Sequence, residues 1–236
     1  RQRQMCIRDR YVALVGSSGA GKTTLCSLIP RFYDVTGGTI RVDGQDIRNI
    51  KLSDLRNHIG IVQQDVYLFA GTILENIRYG KPDASREEVI RAAKEANAHE
   101  FIMNFPDGYD TVIGEGGATL SGGEKQRISI ARAIMKDAPI VILDEATANV
   151  DPENEKELMD AVDALTKEKT IIMIAHRLKT VQHADQILVL EAGRIIQRGR
   201  HEDLIKQDGI YADFVQSRKK AESWSIAGEG ALGVGV

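Results

Sequence analysis

Cysteine is scarce in this chain: Cys6 and Cys26 are the only two in 236 residues. They show neither metal-ligand spacing nor the makings of a disulfide framework, which excludes a cysteine-stapled scaffold and suits a reducing compartment. Long apolar runs are missing too, since no stretch approaches the ~20 residues that a membrane helix needs. Neither sign of charge dominates. The 31 Lys and Arg stand against 34 Asp and Glu, for a net charge of −3, so no chain-wide basic field points to nucleic acid. No internal repeat is visible. What is present is ordinary: 42% hydrophobic and 28% charged residues describe a globular protein able to bury a core in one large domain or two small ones.

One stretch organises the rest, Gly16-Ser17-Ser18-Gly19-Ala20-Gly21-Lys22-Thr23-Thr24. It matches G-x-x-x-x-G-K-[ST], the phosphate-binding P-loop. Tyr11–Val15 before it reads as an apolar strand, and Thr24–Ile29 after it as a helix stopped by Pro30. Glycines let backbone N–H groups turn inward around an anion, and a helix N-terminus adds partial positive charge. Lys22 is expected to reach the β- and γ-phosphates, and the Thr23 hydroxyl to meet Mg²⁺.

Downstream, Thr39–Val42 runs into Asp43-Gly44, a hairpin signal. Ser53 is expected to cap a short helix to Asn57. Ile59–Val62 reads as a buried strand ending at the polar edge Gln63-Gln64-Asp65. From Gly71 to Met135 the texture turns helical, with helices over Thr72–Ile77, Arg86–Ala96 and Glu124–Met135, and breaks at Pro82, Pro106 and Gly108. Strand and helix then alternate: Ile140–Leu143, a helix Glu153–Lys167 behind Pro152, Thr170–Ala175, and a hairpin of Gln186–Leu190 and Arg194–Gln197 about Gly193. His201–Gln207 and Tyr211–Lys219 read as closing helices, and Ala221–Val236, rich in Gly, Ala and Ser, as a frayed tail. The fold class expected is α/β, a P-loop NTPase with a mainly parallel sheet and an inserted helical subdomain.

Two further signals carry chemistry. Asp144-Glu145 follows an apolar strand directly, the place where α/β folds put ligands. Asp144 suits Mg²⁺, and Glu145 the polarisation of an attacking water. Leu120-Ser121-Gly122-Gly123-Glu124-Lys125-Gln126-Arg127 holds a capping box, Ser121-x-x-Glu124, and two glycines at a helix start, a second anion site.

Taken in order, Gly16–Thr24, Leu120–Arg127, Ile140–Glu145 and His176 resemble the nucleotide-binding domain of ABC transporters from Tyr11 to about Ser217. The resemblance implies an ABC ATPase fold that binds ATP and Mg²⁺. Gly16–Thr24 matches the Walker A loop, and Gln64 the Q-loop glutamine that touches Mg²⁺ or the attacking water, with Gln63 as the adjacent alternative. Ser121-Gly122-Gly123-Glu124 matches the signature motif, with Glu124 where Gln is usual. Asp144 and Glu145 match Walker B and the catalytic glutamate. Asp151 is the D-loop aspartate, preceded by Ala148-Asn149-Val150 where Ser-Ala-Leu is more usual. His176 matches the switch histidine that contacts the γ-phosphate. The family's adenine-stacking aromatic lies upstream of the P-loop, and Tyr11 is too close to Gly16 to be that residue, so weaker ATP binding than that of an intact domain is expected.

Thr111–Gly117, Leu74–Gly80 and Gly199–Leu204 resemble the exporter branch. The resemblance then implies ATP-driven pairing with a second nucleotide-binding domain, as a homodimer or heterodimer. It also implies a transmembrane domain fused N-terminally, work at the cytoplasmic face of the cell (inner) membrane, and no nucleic-acid partner. The ATPase subunit of an importer and a soluble ABC-type ATPase are the alternatives. The domain is expected over 11–220, with its helical subdomain at about 71–136. Residues 1–10 lack a signal peptide's apolar core, and Met5–Arg10 resemble the translation of a transposon-end adaptor used in DNA library preparation. A non-native leader over 1–10 joined to a truncated gene is therefore expected.

Overall fold

The apolar run Tyr11–Val15 forms strand β1, with Val12, Ala13, Leu14 and Val15 buried. In the computed structural model, which describes residues 10–117, 119–144, 152–175 and 178–218, two compact units are distinguished. One contains Ser27–Ile171; the other contains Arg10–Cys26 and the described residues after Ile171.

The unit containing Ser27–Ile171 starts with the hairpin of β2 (Arg41–Val42) and β3 (Gln45–Asp46). Its turn is Asp43-Gly44, with φ of 49° and 80°, the two left-handed residues that suit a tight two-residue hairpin. Helix α2 (Leu52–Asn57) precedes β4 (Ile59–Val62). Strand β4 runs parallel to β7 (Ile140–Asp144), with Ile59 opposite Ile140 and Val62 opposite Leu143. Both strands are apolar up to Asp144 at the end of β7, as strands of a parallel pair covered on two faces should be.

Between β4 and β7 lie the three expected helices, α3 (Ile73–Arg78), α4 (Arg86–Glu95) and α6 (Gly122–Lys136), and a short further one, α5 (His99–Met103), that the sequence pattern did not indicate. A two-residue antiparallel ladder, β5 (Gly71–Thr72) with β6 (Val112–Ile113), brackets α3 to α5 within this insert. Thr72, Ser85 and Ser121 each begin a helix with a capping box completed by Glu75, Glu88 and Glu124. Ser53 does not cap. Helix α2 begins one residue earlier, at Leu52, its N-cap Lys51 makes no side-chain bond, and the Ser53 hydroxyl donates to Asp54. Helix α6 is buried on most sides, with Ile128, Ile130 and Ala131 at 0% exposure; each isoleucine contributes on the order of 1.5–3 kcal/mol of burial. Helix α7 starts at Pro152 itself (Pro152–Thr166), where a fixed φ and a missing N–H do no harm.

In the second unit the strand order is β10-β9-β1-β8, with β8 Thr170–Ile174, β9 Gln186–Glu191 and β10 Arg194–Gly199. Strand β1 lies parallel to β9, Val12 opposite Gln186 and Val15 opposite Val189. The β9–β10 hairpin turns at Ala192-Gly193, both at positive φ. Helix α1 (Lys22–Leu28) follows the glycine loop. Helix α8 (Leu178–Gln182) was not foreseen, and α9 is a single turn, His201–Leu204, rather than running to Gln207. A last helix covers 210–218, and fully buried Tyr211 shares a 2.6 Å hydrogen bond with His201 Nδ1. Burial pushes the Tyr211 hydroxyl up to about 12. Among the described residues, no helix is long and apolar enough to cross a membrane.

Candidate functional site

Strand β1 delivers the chain into the glycine loop, and the loop's shape depends on its glycines. A Cβ on Gly16 would stand 2.2 Å from the Leu190 carbonyl oxygen and 3.2 Å from the Ala20 Cβ, so any other residue would have to displace the backbone of β9. Gly19 and Gly21 hold φ of 77° and 98°, a region that side chains disfavour. Two backbone bonds shape the turn: Ala20 N–H donates to Ser17 O at 3.2 Å, and Gly193 N–H donates to Ala20 O at 3.0 Å. The β9–β10 turn therefore supports the loop from the side.

Lys22 opens α1 and is buried, and its ammonium donates to the carbonyls of Gly16 and Ser17, both at 2.9 Å. A cation is thus folded back across the loop it belongs to. Ser17, Ser18 and Gly19 are exposed at the tip, as are Thr23 and Thr24 on the first turn of α1. This loop has the donors an anion needs: backbone N–H groups, hydroxyls and one ammonium. Tyr11 serves elsewhere, since its hydroxyl donates to the Thr180 carbonyl at 2.9 Å.

The Ser27–Ile171 unit carries Gln63, Gln64, the start of α6 and Asp144. Asp144 is the last residue of β7 and is partly exposed, and Gln63 and Gln64 are exposed beyond the end of β4. At α6, the Ser121 Oγ accepts from Glu124 N–H at 3.3 Å, and the Glu124 carboxylate accepts from Ser121 N–H at 2.7 Å. Gln or Glu can close such a box equally well. The carboxylate brings a negative charge to a helix start that Gln would have left neutral. Ser121 and Gly122 are exposed, whereas Gly123 is buried.

Glu145, Asp151 and His176 lie outside the described residues, as do Ala148, Asn149 and Val150. Among the described residues, no group of three or more His, Cys, Asp or Glu side chains could hold a metal ion by itself. Thr23, Gln64 and Asp144 are oxygen donors of the hard type a magnesium ion prefers.

Sequence reading passed over some residues that shape these segments. Leu190 and Gly193 meet the loop through backbone atoms, which leave no trace in residue type. Arg132 did leave one, because it is a charged residue within the mainly apolar run Ile128–Met135, whereas Asn76 and Gln126 stand among other polar residues and are not singled out by pattern. All three bond to the segment after β4.

Comparison with known proteins gives these parts a common context. The family model described as ABC transporter matches residues 5–148. A putative multidrug export ATP-binding/permease protein, YgaD of Bacillus subtilis, is 56% identical over 204 residues, covering 86% of this chain and 35% of that protein. An ATP-dependent lipid A-core flippase of Syntrophus aciditrophicus is 55% identical over 211 residues, 89% of this chain and 35% of that protein. Among solved structures, a bacterial Atm1-family ABC exporter with ATP bound superposes with a TM-score of 0.84 at 47% identity, covering 89% of this chain and 37% of that one. The chain thus spans about a third of the length of each of these relatives. The expected P-loop α/β fold is the fold it has, and the chain belongs to the ABC transporter family.

Proposed function

We propose that this chain is the ATP-hydrolysing nucleotide-binding domain of an ABC exporter, and that it powers transmembrane export by ATP-driven pairing of two such domains. The observation that carries the reading is the glycine loop with Lys22 folded across it, closed over Leu190 so that only glycine fits at position 16. The relatives support the exporter part, since the three described above are named as a multidrug export protein, a flippase and an exporter. The domain covers 11–220, with a helical subdomain at about 71–136.

In this reading Gly16–Thr24 cradles the phosphates. Lys22 exchanges its carbonyl partners for β- and γ-phosphate oxygens, a swap that favours an anion because the ammonium is already desolvated. Thr23, Gln64 and Asp144 would hold Mg²⁺, which would supply positive charge to offset that of the nucleotide. Glu145 orients and polarises the attacking water, and His176 meets the γ-phosphate. Ser121, Gly122, Gly123, Glu124 and Asp151 face the nucleotide of the second domain, so each site is completed across the pair. The membrane domain is the further partner, and it places this domain on the cytoplasmic face. Phosphoryl transfer needs little covalent chemistry from the protein, so positioning and charge account for the rate.

The test is Mg-ATP hydrolysis by the chain and by Lys22→Ala. Removing the ammonium is expected to lower hydrolysis about 100-fold or more, the scale of losing one strong charge-stabilising donor. Chelating the magnesium should abolish hydrolysis in both. A Lys22→Ala rate within twofold of the unaltered chain would overturn the assignment.

A further inference from the structure

Helix α6 turns two long polar side chains towards the segment that carries Gln64. Gln126, 4% exposed, donates through Nε2 to the Gln63 carbonyl at 3.4 Å, a long contact. Further along the same helix, Arg132 makes the stronger set. Its Nη1 donates to the Tyr67 carbonyl at 3.2 Å, its Nε to the Asn76 carbonyl at 2.9 Å, and its Nη2 to the Asn76 Oδ1 at 3.0 Å.

Asn76 in α3 is 2% exposed and completes the clamp. Its Nδ2 donates to the Phe69 carbonyl and its Oδ1 accepts from Phe69 N–H, both at 2.9 Å. The Leu68 carbonyl between them accepts from Gly116 N–H at 3.0 Å. Apart from the bond of Arg132 to the Asn76 carbonyl, every contact with a backbone atom named here ends on residue 63 or on residues 67–69. Gln64 and Asp65, between these anchors, are exposed. The Arg132 guanidinium also lies over the rings of Phe69 and Tyr79, at 5.5 and 5.8 Å from their centroids.

We propose that Arg132, working with Asn76 and Gln126, is a positioning residue for Gln64. It fixes the far end of the 63–69 segment on α6, so that the Gln64 amide is presented to Mg-ATP in one place. The inference rests on the ATPase reading and on the role given to Gln64. Burial pushes the Arg132 guanidinium below its ordinary value, yet a guanidinium stays charged at any pH at which the chain is folded. Lysine cannot replace it, because a point ammonium lacks the planar fork that reaches three separate oxygens. Helix α6 begins with Ser121-Gly122-Gly123, so one rigid element carries the signature motif and the anchors of the Gln64 segment.

The test is steady-state Mg-ATP hydrolysis by the full chain carrying Arg132→Lys, Gln64→Ala, or both, with a thermal-unfolding check on each. Arg132→Lys is expected to lower kcat about tenfold and to leave KM for ATP within twofold, since a misplaced group costs rate rather than nucleotide affinity. The double variant should be no slower than Gln64→Ala alone, because Arg132 then has nothing left to position. Gln126→Met, which keeps volume and removes only the Gln63 contact, should lower kcat in the same direction and to a smaller extent, even if Arg132→Lys does not fold. Losses that multiply in the double variant, a full rate in Arg132→Lys, or no effect of Gln64→Ala would each overturn the positioning role and leave the ATPase reading standing. No hydrolysis by the unaltered chain at saturating Mg-ATP would instead overturn the reading on which it rests.

Discussion

Asp46 caps the short 3₁₀ turn Ile47–Asn49, and its carboxylate is held down to about 2, first by the Arg48 side chain and then by the Arg48 N–H. An ordinary Asp titrates near 3.9 when unfolded, so the folded value is the lower one. The stability this group contributes is therefore complete above about pH 4 and is lost as pH falls through the folded value. Asp46→Asn should lower the urea midpoint at pH 7, and the gap to the unaltered chain should narrow between about pH 4 and pH 3. A gap of constant size over that range would show that Asp46 acts through something other than its charge. Lys22 and Arg132 follow a related logic with opposite consequences. Lys22 is bonded to loop carbonyls that phosphates would replace in the proposed function, whereas Arg132 is bonded to carbonyls that tie α3 and the segment after β4 to α6.

At the scale of the element, the helices of the insert are short and their ends matter. Helix α4 has ten residues and α3 six, below the ~12–15 at which an isolated helix holds in water. Their starts are set by reciprocal caps. The Ser85 Oγ accepts from Glu88 N–H at 3.2 Å, and the Glu88 carboxylate accepts from Ser85 N–H at 2.7 Å while pairing with Lys81. Ser85→Ala should cost about 1 kcal/mol in urea unfolding. Its ATP hydrolysis should match that of the unaltered chain, since α4 holds none of the proposed site residues. A cost below about 0.3 kcal/mol would mean that tertiary packing, not the cap, sets where α4 begins. Helix α2 illustrates that alternative: its capping serine proved to lie inside the helix, and the helix persists without a side-chain cap.

At the scale of the whole molecule, the proposed cycle makes a dimer prediction. Two chains should pair around ATP, and hydrolysis at Glu145 should release them. Glu145→Gln keeps the size of the side chain and removes its basicity. It should bind ATP without turning it over, and in size-exclusion chromatography it should run as a dimer with Mg-ATP and as a monomer without. Binding that favours one state shifts the population by mass action, so the dimer fraction should rise with ATP concentration. Near-normal hydrolysis by this variant, or a monomer at saturating ATP, would remove Glu145 from its proposed role.

Much of the architecture was legible in the chain because it is written in local chemistry. Apolar runs gave β1, β4 and β7; Asp43-Gly44 gave the hairpin; Ser121-x-x-Glu124 gave the start of α6. The glycine loop was readable as a motif because Gly19 and Gly21 sit at positive φ, a local backbone requirement that residue type records. Three kinds of feature were not readable. The β5–β6 ladder is two residues long on each side and has no periodicity to detect. The pairing of β1 with β9 joins segments far apart in sequence, and only closure of the chain decides it. The contacts of Leu190 with Gly16 and of Gly193 with Ala20 are made by backbone atoms, which any residue type supplies. Residue order by itself determined which groups could meet a phosphate. Tertiary structure decided what presses on Gly16 and what anchors the segment bearing Gln64, because those partners are set by how distant strands and helices pack.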